Sequence, residues 1–162
     1  MNLITRAKDL GLYLAVAESL TGGLLTARLI DAPGASEVVL GGIVAYQNDL
    51  KHQLLGVNPQ LLAMQSAVDP EVAAQMAEGV RSRLATKCSR SIEEVVGIST
   101  TGAAGPESVG IHAPGTVFIA LSSVNGIKVF AEQFQGDRQS IRNQAVERAL
   151  MVIGEEFNLF QG

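Results

Sequence analysis

Apolar positions along the chain switch between a helical and a strand period, and the order of the switches predicts an α/β protein. Leu3, Ile4, Ala7 and Leu10 recur at helical spacing over residues 3–11, with Gly11 as the closing residue. Tyr13–Ala17 is a short apolar run of strand length. Thr21-Gly22-Gly23 then opens a second helix carrying Leu24, Leu25, Ala27, Arg28 and Leu29, which ends at Asp31-Ala32-Pro33-Gly34. Val38–Tyr46 is β-branched but interrupted by Gly41-Gly42, so it reads as a strand with a bulge or a close backbone approach. A short helix is expected at Asn48–Leu55, with Gly56 and Pro59 acting as breakers.

The second half carries stronger signals. Asp69-Pro70 combines an N-cap side chain with proline at the first helical position, and Val72, Ala73, Met76, Ala77, Val80 and Leu84 carry one face to about residue 86. After the polar break Ser89–Ser91, Val95–Thr100 reads as a buried strand, followed by a Gly/Pro-rich loop from Thr101 to Gly115. Thr116–Ser122 and Ile127–Phe134 form a hairpin pattern across Asn125-Gly126. Asp137 caps a last helix with Ile141, Ala145, Ala149 and Ile153 at four-residue spacing. Intermingled helices and strands with one hairpin predict a mixed sheet between helical layers. There is no internal repeat and no linker, so residues 1–162 are read as one domain.

Composition narrows the function more than it specifies it. Hydrophobic residues make up 47% of the 162 and charged residues 17%, which is globular composition and excludes a disordered chain. The net charge of −4 and the lack of any basic run argue against a nucleic-acid partner, because neutralising phosphates needs a concentrated Lys/Arg face. A single small anion stays compatible, since one arginine or one helix N-terminus can hold a phosphate. Cys88 is the lone cysteine and only His52 and His112 accompany it, so no metal site and no disulfide are expected. Arg6 and Lys8 before the apolar Leu10–Ala17, and Ala15-Val16-Ala17 itself, mimic an export signal. Asp9 interrupts that signal, and cleavage would remove the first strand, so a cytoplasmic protein without a membrane partner is expected. Residues Asn158 to Gly162 suit a native terminus or a protease-cleaved tag equally and carry no functional weight.

Three loops concentrate polar residues and glycine after predicted strands: Ala17–Gly23, Tyr46–Lys51 and Thr101–Pro106. Ligands in open α/β sheets sit beyond the carboxyl ends of strands, so these loops can converge on one pocket. Ser19 stands at a strand-to-helix corner, where its hydroxyl can be presented as a nucleophile. Gly22 and Gly23 would let ligand atoms approach, and the helix start would favour an anion. Ser19 or Thr21 as a plain helix cap is the competing reading. Lys51 supplies a base if apolar neighbours strip its proton near neutral pH, with Tyr46 passing or stabilising that proton. Solvated Lys51 and half-buried Tyr46 are the ordinary alternative. Thr101, Gly102 and Gly105 resemble a backbone cradle, against the simpler reading of a tight turn. Arg138 and Arg142, four apart on one helix face, are candidates to clamp a phosphate or are merely solvated.

The collinear order of motifs goes further than any one loop. Ala-Glu-Ser-Leu-Thr-Gly-Gly, Pro-Gly-Ala-Ser, Tyr-Gln-Asn-Asp-Leu-Lys with Leu-Gly-Val, Ala-Val-Asp-Pro-Glu-Val-Ala with Met-Ala-Glu-Gly, Thr-Gly-Ala-Ala-Gly-Pro, Pro-Gly-Thr-Val and Gly-Asp-Arg follow one another from residue 17 to residue 138, within a resemblance that spans residues 3–155. This series resembles the CinA C-terminal domain family, whose characterised members are nicotinamide-nucleotide amidohydrolases. The resemblance implies a three-layer α/β/α sandwich, a homodimer, and deamidation of nicotinamide mononucleotide with no metal or other cofactor. It places the family's serine, tyrosine and lysine on Ser19, Tyr46 and Lys51, its threonine on Thr101 and its Gly-Asp-Arg arginine on Arg138. Thr21, Gly22, Gly23, Ser36, Asn48, Gly102, Gly105 and Arg142 complete the expected substrate contacts. Larger CinA proteins add an N-terminal domain resembling molybdopterin-binding proteins, and this chain resembles the stand-alone form.

Two departures stand out. Leu20 occupies a position that is cysteine in many members, so that position is not the nucleophile. Residues 107–115 read Glu-Ser-Val-Gly-Ile-His-Ala-Pro-Gly, one residue short and without the lysine of the usual loop, so substrate handling is expected to differ there.

Overall fold

A computed structural model describes residues 2–159 of the chain. Five strands form one sheet in the order β2-β1-β3-β4-β5: β1 Tyr13–Glu18, β2 Val39–Val44, β3 Val95–Gly102, β4 Thr116–Ser123 and β5 Gly126–Gln133. β1 pairs in parallel with both β2 and β3, whereas β3–β4 and β4–β5 are antiparallel. The expected mixed sheet is present. Among the described residues six α-helices accompany it: α1 Leu3–Leu10, α2 Leu24–Ile30, α3 Asn48–Leu55, α4 Pro59–Gln65, α5 Pro70–Lys87 and α6 Arg138–Glu156.

The period of two along β1 sorts its side chains into two cores. Leu14 and Val16 join Leu25, Ile98, Ile119, Ile141 and Ile153 on the face covered by α1, α2 and α6. Ala15 and Ala17 face the other way, with Leu55, Val72, Met76 and Val80 from α3 and α5. Alanine at both of these β1 positions lets the helices approach closely. Gly79 shows how closely: a Cβ there would stand 1.8 Å from the Leu55 carbonyl oxygen, so only glycine lets α5 receive the end of α3. This contact fixes α3, and with it Lys51.

Several local readings need adjustment. Pro59 does not break the chain after α3; it opens α4 at the first helical position, with Asn58 capping the Gln60 N–H. Proline lacks only an N–H that a helix start leaves unpaired, so the residue is a start signal here. The close approach expected at Gly41-Gly42 is present, since a Cβ on Gly42 would stand 2.0 Å from Thr26 Oγ1, and a bulge lies one residue before the pair, where the partner of Leu14 is Val39 and the partner of Ala15 is Gly41. In the hairpin, Val124 and Asn125 form the turn, and Ser123 pairs with Gly126, which takes the positive φ of 103°. The glycine thus follows the turn rather than sitting inside it. Phe160 to Gly162 lie outside the described residues.

Topology places the site. From β1 the chain crosses through α2 to β2 on one side, then returns through α3, α4 and α5 to β3 on the other. The two crossovers use opposite faces of the sheet. Such a reversal opens a crevice beyond the carboxyl end of the strand between them. That strand is β1, and the residue after it is Ser19.

Candidate active site

A cavity of about 500 Å³ occupies this crevice. Its walls include Ser19, Tyr46, Lys51, Thr101, Gly102, Gly105 and Arg138, seven residues drawn from all three polar loops and the start of α6. Leu20, Val68, Ala104, Pro106, Glu107 and Ser108 also contribute, so the altered 107–115 loop forms part of the wall. Ala67 and Val68 were not legible as site residues, because they follow a helix hidden behind the Pro59 signal. The Thr101 hydroxyl donates to the Ala67 carbonyl at 2.6 Å and thereby ties that segment to β3.

Lys51 is the unusual residue. It has no exposed surface, and its amine donates to the carbonyl oxygens of Ala45 at 2.8 Å and Tyr46 at 3.0 Å. No carboxylate pairs with it among the described residues. Burial without a counter-ion penalises the ammonium form and lowers the pKa from 10.5 to about 8. A neutral amine has two N–H donors and one lone pair, so the two carbonyls satisfy its donors and leave the lone pair available. The sequence pattern Tyr46–Lys51 arranges this locally, since α3 begins at Asn48 and brings residue 51 back over the chain that enters the helix.

Ser19 is 7% exposed and lines the same cavity, with its N–H donating to the Thr100 carbonyl at 2.9 Å. Tyr46 is 55% exposed, and its phenol accepts from Arg138 Nη2 at 3.0 Å. Its carbonyl, not its phenol, touches Lys51, which corrects the expectation of a phenol passing protons between Ser19 and Lys51. Arg138 Nη1 donates to the Gly105 carbonyl at 2.8 Å, so one guanidinium joins the α6 start to two walls of the cavity.

Other expected contacts lie elsewhere. The α2 N-terminus does not await a ligand anion, because the Glu18 carboxylate already fills it. Oε2 accepts from the N–H groups of Gly23 and Leu25, each at 3.0 Å, and Oε1 accepts from the Thr26 N–H at 2.8 Å and its hydroxyl at 2.6 Å. Gly23 is therefore engaged by Glu18, and Gly22 N–H closes a turn on the Ser19 carbonyl. Thr21 is fully buried, and its side-chain hydroxyl is spent on that of Thr100, 2.7 Å away. Arg142 does not share the cavity with Arg138; Nε and Nη2 donate to the carbonyls of Leu20 and Thr21 at 2.9 and 3.0 Å. Asn48 borders a neighbouring hollow with Gly110 and His112. Ser36 is exposed just before β2 begins, at the opposite end of the sheet from the cavity. Among the described residues, no three His, Cys, Asp or Glu side chains cluster as metal ligands, and no helix is long and apolar enough to cross a membrane.

An open mixed sheet with a serine and a buried lysine lining one cavity at its switch point defines an α/β protein with a polar crevice. The chain belongs to the CinA C-terminal domain family, whose model matches residues 1–157. It is 45% identical over 140 residues to a CinA-like protein of Frankia casuarinae, covering 86% of this chain and 30% of that protein. The chain thus spans about a third of the length of the curated relatives it matches. Among solved structures, the competence/damage inducible protein CihA from Agrobacterium tumefaciens superposes with a TM-score of 0.85 at 33% identity, covering 96% of this chain and 91% of that one. A CinA superfamily protein from Klebsiella pneumoniae gives 0.84 at 29% identity, covering 96% of each.

Proposed function

We propose that the chain hydrolyses the carboxamide of nicotinamide mononucleotide to nicotinate mononucleotide and ammonia, with Ser19 as nucleophile and Lys51 as base. The observation that carries this reading is a fully buried lysine, with its pKa lowered to about 8, lining the same cavity as Ser19. A cavity of about 500 Å³ falls in the range that holds a small-molecule ligand. Arg138 at its rim supplies a cation for the phosphate. Membership of a family that includes nicotinamide-nucleotide amidohydrolases supports the choice of substrate.

In this mechanism the Ser19 proton moves to the neutral Lys51 amine as Oγ bonds to the carboxamide carbon. The carbonyl electrons shift to oxygen, where backbone N–H donors stabilise the charge. Collapse breaks the C–N bond, and the leaving nitrogen takes the proton from Lys51 to depart as ammonia. Water then attacks the ester, gives its proton to Lys51, and the proton returns to Oγ as the ester C–O bond breaks. No metal, other cofactor, nucleic acid or membrane takes part. The cytoplasm is the proposed site of action, and the homodimer the proposed assembly.

The test is ammonia release from nicotinamide mononucleotide by the purified protein. Ser19→Ala is expected to abolish it; an unchanged rate in that variant removes Ser19 from the chemistry. A second reading is favoured by the altered loop at Glu107 and Ser108 in the cavity wall: a nucleotide-binding protein without turnover. A melting shift with the mononucleotide and no ammonia would select it.

A further inference from the structure

Arg142 holds two consecutive carbonyl oxygens of the loop that carries Ser19, and the consequence reaches the other side of that loop. A trans peptide points its N–H opposite to its C=O. Among the described residues, the only cis bond is Gly105-Pro106, so the Leu20–Thr21 peptide is trans. Its carbonyl is drawn to Arg142 Nε, and Arg142 does not line the cavity. The Thr21 N–H is therefore turned away from Arg142. The preceding peptide is fixed as well, because the Ser19 carbonyl accepts from Gly22 N at 3.2 Å, which leaves the Leu20 N–H facing away from the turn. Among the described residues, neither the Leu20 nor the Thr21 N–H finds an acceptor, although Leu20 is 3% exposed and Thr21 not at all. Buried N–H groups without a partner are rare, and Leu20 lines the cavity beside Ser19.

We infer that Arg142 is a positioning residue for the Ser19 reaction: through the Leu20 carbonyl it sets the Thr21 N–H, and through the Thr21 carbonyl it holds the peptide whose Gly22 N–H binds the Ser19 carbonyl and so sets the Leu20 N–H, presenting both N–H groups as the oxyanion donors. The inference rests on Ser19 being the nucleophile proposed above. The donors commonly expected at such a corner, the N–H groups of Gly22 and Gly23, are engaged by the Ser19 carbonyl and the Glu18 carboxylate. The two N–H groups that precede them take that role, and the first, on the residue after Ser19, is the donor used where a nucleophile sits on a sharp strand-to-helix turn. Gly22 fits the arrangement, since a Cβ there would come within 3.3 Å of Arg142 Nη2.

The experiment compares wild type, Arg142→Ala and Arg142→Lys on nicotinamide mononucleotide and on nicotinamide riboside, which lacks the phosphate. A positioning role predicts that Arg142→Ala lowers kcat on the order of 100-fold, with KM within about threefold, by the same factor on both substrates. Arg142→Lys, able to reach one carbonyl at a time, falls between. A raised KM on the mononucleotide alone, with the riboside unaffected, would instead make Arg142 a phosphate ligand and overturn the inference. An alkyl fluorophosphonate gives a readout independent of the natural substrate: Oγ bonds to phosphorus, fluoride leaves, and the proton passes to Lys51. Its labelling of Ser19 is expected to slow in Arg142→Ala by a factor similar to the loss in kcat, and an unchanged labelling rate overturns the inference. If wild type is labelled at Ser19 but releases no ammonia, the substrate reading fails while the labelling ratio still decides the role of Arg142. If Ser19 is not labelled at all, both fail. Melting temperatures identify a variant that is merely unfolded, in which case Arg142→Lys carries the comparison.

Discussion

Thr26 donates both its N–H and its hydroxyl to a single oxygen of Glu18, at 2.8 and 2.6 Å, binding the first turn of α2 to the last residue of β1. Among the described residues the carboxylate forms no salt bridge, and three backbone N–H groups and a hydroxyl hold it. Helix starts attract anions, and here the anion comes from the chain itself. Ser19 lies between the two elements so joined.

Removing that carboxylate should loosen the loop and the fold together. Glu18→Ala leaves three N–H groups without their acceptor and is expected to cost about 3 kcal/mol or more in denaturant unfolding. Thr26→Val, which deletes only the hydroxyl donor, should cost about 1 kcal/mol. Equal losses in the two variants would show that the carboxylate is not the hub.

Gly42 on β2 lies against the same threonine. A Cβ at residue 42 would stand 2.0 Å from Thr26 Oγ1, so Gly42→Ala must displace that hydroxyl. A loss of about 2 kcal/mol is expected, and the double variant Gly42→Ala with Thr26→Ala should recover part of it. Thermal unfolding of wild type, both single variants and the double checks the coupling.

Lys51 makes stability depend on pH in a defined direction. Its pKa is about 8 in the folded chain against an ordinary 10.5, so between these values the unfolded chain holds the proton more tightly. Stability therefore rises with pH through that window, and below pH 8 the folded state carries the full penalty of a buried ammonium. Relative to Lys51→Met, wild type should gain about 2 kcal/mol between pH 7 and pH 10. A flat difference would mean that the amine is solvated. The absolute stability of the variant decides less, because the substitution also leaves the carbonyls of Ala45 and Tyr46 without their donor.

The same proton governs turnover. If neutral Lys51 is the base, kcat/KM for ammonia release should rise with pH and level off above about pH 8. Lys51→Arg should abolish activity at every accessible pH, since a guanidinium stays protonated. A rising limb centred near pH 6 would point to another group.

Tyr46 and Arg138 should separate from Lys51 in their effects. The Tyr46 phenol is held by Arg138 and makes no contact with the Lys51 amine, so Tyr46→Phe should lower kcat by less than about tenfold. Arg138→Ala removes the rim cation and should raise KM for the mononucleotide well above its effect on kcat. Steady-state kinetics on the two variants tests both.

Much of this was legible along the chain. Asn48–Leu55 and the Asp69-Pro70 start of α5 appear where local pattern puts them, because capping and helical period are set within a few residues. Seven of the proposed site residues line one cavity, because they lie at or just beyond strand ends or in the first turn of the helix that follows. Legibility stopped wherever the partner was remote in sequence. Arg142 looked like a phosphate clamp because it shares a helix with Arg138, yet its acceptors lie at residues 20 and 21. The glycine-rich helix start looked open because nothing in the local pattern shows that Glu18 turns back to fill it.

The amino-acid sequence by itself determined the alternation of elements, the mixed character of the sheet and the three loops with reactive side chains, since hydrophobic period and turn chemistry act over short range. Only the tertiary structure decided that Lys51 lies buried without a counter-ion while Arg142 grips the loop behind Ser19. Burial and hydrogen-bond saturation depend on which distant segments pack together, and that packing fixes both the proton affinity of the amine and the direction of the free N–H groups.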